Sequence, residues 1–422
     1  MNTKKKRLWI GLSLFNLSIV ALFGFILRSK ILFPLEWVDY RSLLSAHSHF
    51  AFGGWVGLCL LTLLVYDVLP ATLSQKPFYQ WMLAGIDVSS LGMALFFPFE
   101  GYGTIAIFFS SLYIVVTYVF APVFLRDVVN TVQEKTIRWL AVGATLSLLV
   151  SAIGPLGLVY ILVSGSTNSL LYRDSIYTFL HFQYNGFFTL GVFALFFQFL
   201  IRKGVTFSSQ MNRFVRLLCL SVLPALFLSL LWHGKALHYS IAAVGAFFIV
   251  AALGQFIPFF VQLRKEKLFT STLAQTFWLF AFLSFLLKMV LNVGTLIPSL
   301  GHAVFGNRPV IIGFLHLVFL GFVTFFFLSR FLEEGLFIKD GRSARLPFYL
   351  FASGIIANEA VLALQGLGIL FKTNSGIYTW LLWIASILLL AGASSITFAY
   401  WRTKKAAGPA FPSSESAAPQ PH

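Results

Sequence analysis

The chain has 422 residues, of which 58% are hydrophobic and only 10% charged, and its mean hydropathy is +0.86. A soluble protein of this size needs a polar surface that such a composition cannot supply. A soluble enzyme on a single anchor is also excluded, because apolar runs of roughly 18 or more residues, each able to span a ~30 Å hydrocarbon core as a helix, recur along the whole length. The formal net charge of +16 would suggest nucleic acid in a soluble protein. Here it reads as the Lys and Arg excess of cytoplasmic loops, so the expected partner is membrane lipid and not nucleic acid.

Backbone polar groups in an apolar run must be paired within it, and porin-like alternation is absent, so the expected fold is an all-α polytopic membrane bundle. The start, Met1-Asn2-Thr3-Lys4-Lys5-Lys6-Arg7, precedes a long apolar run with no small-residue cleavage site after it, which reads as an uncleaved first span. About twelve helices are expected, near 8–28, 43–68, 79–99, 101–125, 138–164, 173–201, 213–232, 239–263, 271–296, 309–331, 346–370 and 377–401. The third and fourth, joined by Glu100-Gly101-Tyr102-Gly103, are the weakest split. Residues 1–402 form one transmembrane domain on this reading, and 403–422, rich in Ala, Pro and Ser, form a disordered cytoplasmic tail. Cys59 and Cys219 lie in apolar segments without a Cys-x-x-Cys partner, which argues against a thiol metal site.

The charges orient the bundle. Of the 30 Lys and Arg residues, only Arg28, Lys30, Arg41, Arg173, Lys235, Lys288, Arg308 and Lys372 fall outside or within the spans when the N-terminus is placed inside. The remainder cluster on the inner side, as strict alternation over twelve spans with both termini cytoplasmic requires. The location implied is a bacterial-type inner membrane.

In that frame seven of the eight histidines lie in or beside the outer half of the membrane, His422 being the last residue of the tail. His47 and His49 open the second helix, His181 lies early in the sixth, and His316 early in the tenth. His233 ends the seventh helix, His238 opens the eighth, and His302 precedes the tenth. Ionisable groups at membrane depth are costly and tend to mark sites, and neutral imidazole is a common metal ligand. A haem or metal site is therefore expected among them. Residues two apart on a helix point about 200° apart, so His47 and His49 face opposite sides and cannot easily grip one metal. Glycines in the following Gly53-Gly54-Trp55-Val56-Gly57 would let a flat macrocycle or another helix approach closely. Asp87, Glu359 and Lys288 are further ionisable residues inside spans. Glu359 is the candidate proton relay or oxygen ligand, with a structural pairing to Lys288 as the alternative. Gln183, Tyr184, Asn185 and Gly186 are placed to orient His181.

The run His47-Ser48-His49 followed by Gly54-Trp55-Val56-Gly57 resembles the His-x-His-x4-Gly-Trp-Val-Gly segment of C-type haem-copper oxidase catalytic subunits. That superfamily, which includes the nitric oxide reductases, also has twelve helices in its catalytic subunit I. In it, ligands come from the second, sixth and tenth helices and the end of the seventh. The resemblance implies that His47, His49, His316 and His302 serve a haem, of b type, and that His181, His233 and His238 serve a second metal, copper or non-haem iron. It makes Glu359 the catalytic acid. It also implies an oxidoreductase that transfers electrons to, or reduces, oxygen or nitric oxide, with a cytochrome or quinol as donor. The chain differs in carrying its His-x-His on the second helix and not the tenth, and in having Tyr184 three residues after His181. The NnrS family of haem- and copper-containing membrane proteins is similar too, with a His-x-His early in the second helix and a spacing like His316-x4-Gly321. That resemblance implies a role in nitric oxide stress or metal handling without respiratory turnover. A twelve-helix secondary transporter is the remaining alternative; residues 1–210 and 211–422 show no convincing repeat of the kind many transporters carry.

Overall fold

The computed structural model describes residues 4–301, 307–337, 342–371, 373 and 375–406. The described residues form helices and no strands. Twelve helices among them are long and apolar enough to cross a membrane: α1 (Lys4–Leu32), α2 (Tyr40–Val68), α3 (Pro77–Glu100), α4 (Thr104–Thr131), α5 (Lys135–Ser164), α6 (Ser169–Arg202), α7 (Ser209–His233), α8 (Ala236–Leu263), α9 (Thr272–Gly294), α10 (Arg308–Glu333), α11 (Ala344–Gly368) and α12 (Ile377–Thr403). The chain is an all-α polytopic bundle. Each expected span is present, with ends shifted by a few residues. The expected tail lies, from residue 407 onward, outside the described residues, as does His302.

Local chemistry sets the helix ends. The α3–α4 junction is resolved by Gly101, which takes a positive φ of 61°, and by the Glu100 carboxylate, which accepts from the Ala106 N–H at 2.6 Å. Asp39 caps α2 by accepting from the Ser42 N–H at 2.7 Å. Asn168 caps α6, its Oδ1 accepting from the N–H groups of Leu170 and Leu171 at 3.1 Å each. These caps pair N–H groups that a helix start cannot pair by itself.

Neighbours in sequence are neighbours in space, and α12 returns to α1, so the helices close a ring. Inside the ring α2, α6 and α10 touch one another. Burial marks α2 and α6 most strongly, with 83% and 89% of their apolar windows buried against 28% for α4 and α5, and α10, at 56% like α7, is central by its contacts with both. The central helices come four apart along the chain, so each occupies the second place in a run of four. Three phenylalanines mark where they meet. Phe52 of α2 and Phe319 of α10 have ring centroids 4.5 Å apart, and Phe188 of α6 lies 5.2 Å from Phe319 and 6.1 Å from Phe52. The Trp55 indole N–H of α2 also donates to Thr324 Oγ1 of α10 at 3.1 Å.

At the end of the bundle that holds the N-terminus, ion pairs tie the same three helices together. Lys6 Nζ of α1 contacts Asp67 Oδ1 at the end of α2 at 2.7 Å and Glu334 Oε2, just past α10, at 2.9 Å. Arg202, the last residue of α6, reaches Asp67 Oδ1 at 3.2 Å and the Asp67 carbonyl at 2.8 Å. Arg330 of α10 pairs with Glu334 at 2.6 Å. The side chains of Lys6 and Asp67 are each only 6% exposed, so removing one partner leaves the other charge poorly compensated. Replacement Asp67→Leu is expected to destabilise the bundle by about 3–5 kcal/mol, read as a drop in the thermal unfolding midpoint in detergent. A midpoint within error of the parent would show that this cluster does not hold the central helices.

Candidate functional site

Each central helix departs from α geometry at the same place. Ala51–Gly57 of α2, Phe182–Phe187 of α6 and Leu317–Thr324 of α10 are π-helical. Such wide turns are rare and are often found at functional sites. A histidine stands just before each: His49, His181 and His316. The sequence from each histidine shares one spacing, His49-x4-Gly54-Trp55, His181-x4-Gly186-Phe187 and His316-x4-Gly321-Phe322. Comparing halves of the chain puts these segments out of register, which is why a repeat escapes that comparison. The segments recur at steps of 132 and 135 residues, four helices apart.

The widened turns leave carbonyls without helical partners, and polar side chains from the ring supply donors. Asn16 Nδ2 of α1 donates to Gly54 O at 2.8 Å and to Asp87 Oδ1 of α3 at 2.8 Å. Asp87 thereby joins α1, α2 and α3. Lys288 of α9 is fully buried and donates to Tyr184 O at 2.9 Å and to Thr189 Oγ1 at 2.6 Å. The structure thus gives Lys288 backbone and hydroxyl partners on α6, not the Glu359 pairing considered above. Glu359 accepts instead from its neighbour Asn358, Nδ2 to Oε1, at 3.0 Å.

His47 and His316 line one cavity of about 200 Å³, together with Gly24 and Arg28 of α1, Ser48 of α2, Asn358 of α11 and Ser386 of α12. His47 Nδ1 lies 3.0 Å from Val20 O, and His316 Nδ1 lies 2.9 Å from Ile312 O. A carbonyl can only accept, so each Nδ1 carries the proton and each Nε2 keeps its lone pair. This is the tautomer of an imidazole whose Nε2 serves as a ligand, with the carbonyl fixing the ring. Gly24 matters here, because a Cβ at that position would sit 3.3 Å from His47 Cε1. His49 turns to the other side of α2, as the helical spacing requires. Its Nδ1 donates to Ser45 O at 2.8 Å, and its ring stacks on Phe97 of α3 at 4.7 Å.

The other three histidines occupy two separate places. His181 is fully buried. Its Nε2 donates to Val222 O of α7 at 2.7 Å, and its Nδ1 accepts from Asn185 Nδ2 at 3.2 Å, so both ring nitrogens are engaged. Asn185 orients His181 as its position suggested. His233 Nε2 bonds both carboxylate oxygens of Asp174, at 3.0 and 3.1 Å, and its ring stacks between Trp232 at 4.0 Å and His238 at 4.8 Å. His233 and His238 are thus adjacent, while His181 is used elsewhere. Among the described residues no group of three or more His, Cys, Asp or Glu side chains is arranged to hold a metal ion.

A second cavity, of about 620 Å³, lies between α6, α7, α9, α10 and α11, and Glu359 lines it while Asn358 lines the histidine cavity. Neighbouring residues of α11 therefore face different chambers. No known family model matches the chain, and neither does any curated protein.

The repeated glycines serve packing. A Cβ on Gly186 would fall 2.3 Å from Ser147 Cβ of α5, whereas one on Gly254 would meet nothing within 4 Å. Gly186→Ala is expected to cost about 1–3 kcal/mol by overpacking, and Gly254→Ala to leave the unfolding midpoint unchanged or slightly raised. Equal midpoints for the two variants would overturn the close α5–α6 approach.

Proposed function

We propose that this chain is a haem-binding membrane protein that carries electrons, with His47 of α2 and His316 of α10 as the two axial ligands of a b-type haem. The observation that supports this reading is the pair of imidazoles on one cavity, each with its Nδ1 proton spent on a backbone carbonyl and its Nε2 left to coordinate. The donor set fits the group: two neutral imidazoles suit low-spin haem iron, and the Arg28 guanidinium on the same wall suits the carboxylates of its periphery. The slot of about 200 Å³ is smaller than a tetrapyrrole, so loading requires the side chains of α1 and α12 that flank it to move apart. Bound there, the iron would supply reversible one-electron chemistry. The protein's own part is to hold the two rings, exclude water with Leu17, Val20, Phe52, Trp55 and Phe319, and fix each imidazole's orientation through its carbonyl.

This reading agrees with the superfamily resemblance in pairing the second and tenth helices. It stops at electron carriage and does not extend to oxygen or nitric oxide reduction. His181, named above for a second metal, has both ring nitrogens in hydrogen bonds, and the described residues hold no group of three or more His, Cys, Asp or Glu arranged around a metal. We place the protein in a bacterial-type plasma membrane with both termini cytoplasmic, on the strength of the Lys and Arg asymmetry. A reporter fused after Trp401 is expected to be active in the cytoplasm; activity on the far side would overturn that orientation.

The ligand assignment has its own test. His316→Ala and His47→Ala are each expected to abolish the low-spin optical signal of the purified protein. His49→Ala should keep it, because that ring faces α3. A low-spin spectrum unchanged at full haem content in His316→Ala would reject the pairing.

A further inference from the structure

The cavity of about 620 Å³ has a polar feature that its apolar walls do not explain. Asn292 of α9 is only 5% exposed, lines the cavity, and its Nδ2 has no hydrogen-bond partner. A buried donor left unpaired costs about 1–3 kcal/mol, so this amide calls for an acceptor. Further polar groups line the same space, Tyr177, Ser229 and Thr295 among them. The Glu359 carboxyl keeps capacity beyond its bond from Asn358, and the Tyr184 hydroxyl lies 3.3 Å from Ser229 Oγ.

The rest of the lining is almost wholly aliphatic, and part of it faces outward. Leu287, Val290 and Leu291 of α9 and Leu367 of α11 line the cavity and are each about half exposed on the bundle surface. In a membrane that surface faces hydrocarbon, so a lipid-soluble molecule can enter sideways without crossing water. Among the described residues no histidine or cysteine lines this space, which separates it from the cavity of His47 and His316.

We propose that this cavity binds the ring of a lipid-soluble quinone. The ring carries carbonyl acceptors on opposite edges, which match a donor amide on α9 and a protonatable carboxyl on α11. Its isoprenoid tail suits the aliphatic mouth, and the volume lies within the usual range for small-molecule sites. A plain acyl chain would leave Asn292 unpaired.

The test uses the full-length protein purified free of native quinone, with menadione as the probe and methylnaphthalene as a ring of the same shape lacking carbonyls. Equilibrium dialysis is expected to show saturable menadione binding at one site per chain, about tenfold tighter than methylnaphthalene, as one hydrogen bond to the ring would give. Asn292→Leu should remove that difference while leaving methylnaphthalene binding intact. Asn292→Asp, nearly isosteric but with the donor replaced by a carboxylate, should do the same if the leucine variant does not fold. Equal affinity of the parent for the two probes, or menadione binding unchanged in both variants, would overturn the quinone site and leave an apolar lipid cavity. The binding is read without haem, so His316→Ala protein should bind menadione like the parent whether or not the haem assignment survives.

Discussion

Hydrocarbon offers no hydrogen bonds, so any backbone group released from a helix inside the membrane must find a partner in the protein. The three central helices of this bundle each contain a π-helical segment, and the other nine helices make that tolerable. Asn16 answers Gly54 O and Lys288 answers Tyr184 O. Thr189 Oγ1 donates to Tyr184 O as well, so that carbonyl is met from within α6 and from α9. The central position of α2, α6 and α10, the glycines that let neighbours close on them and the ion pairs at their common end all serve this one requirement.

The widened turns also bear on the histidines. Each follows its histidine, so the residues below it rotate relative to those above, and the ring nitrogen is pinned by a carbonyl of the preceding α-helical turn or of another helix. In α2 and α10 that carbonyl lies one turn back, Ser45 O for His49 and Ile312 O for His316. His181 uses the same surroundings differently, giving up both nitrogens to Val222 and Asn185. Two of the three equivalent positions thus share one arrangement, and the third is claimed by the neighbours within its reach.

Much of the architecture was legible in the sequence because it depends on bulk quantities. Hydropathy over some twenty residues locates a span whatever it packs against, and all twelve spans were found in that way. The opposed directions of His47 and His49 follow from 100° per residue alone. What could not be read depends on contacts between distant helices. Lys288 and Glu359, a base and an acid at membrane depth, suggest a pair, but Tyr184 O and Thr189 Oγ1 of α6 claim the lysine. The grouping of His181 with His233 and His238 followed the superfamily resemblance and their common depth. Depth does not tell which face of a helix a side chain takes, and Val222 and Asp174 hold those rings apart. The His-x4-Gly-aromatic spacing was present three times in the sequence all along, at a period of four helices and not six.

The central claim is that His47 and His316 face each other across one cavity as the axial pair of a haem. Low-temperature electron paramagnetic resonance of the oxidised, purified protein, taken together with a pyridine haemochrome assay of its haem content, tests it most directly. The account predicts one b-type haem per chain with a low-spin signal of bis-imidazole character. A protein that carries no haem after expression with ample haem supply, or one whose only signal is high-spin, would contradict it.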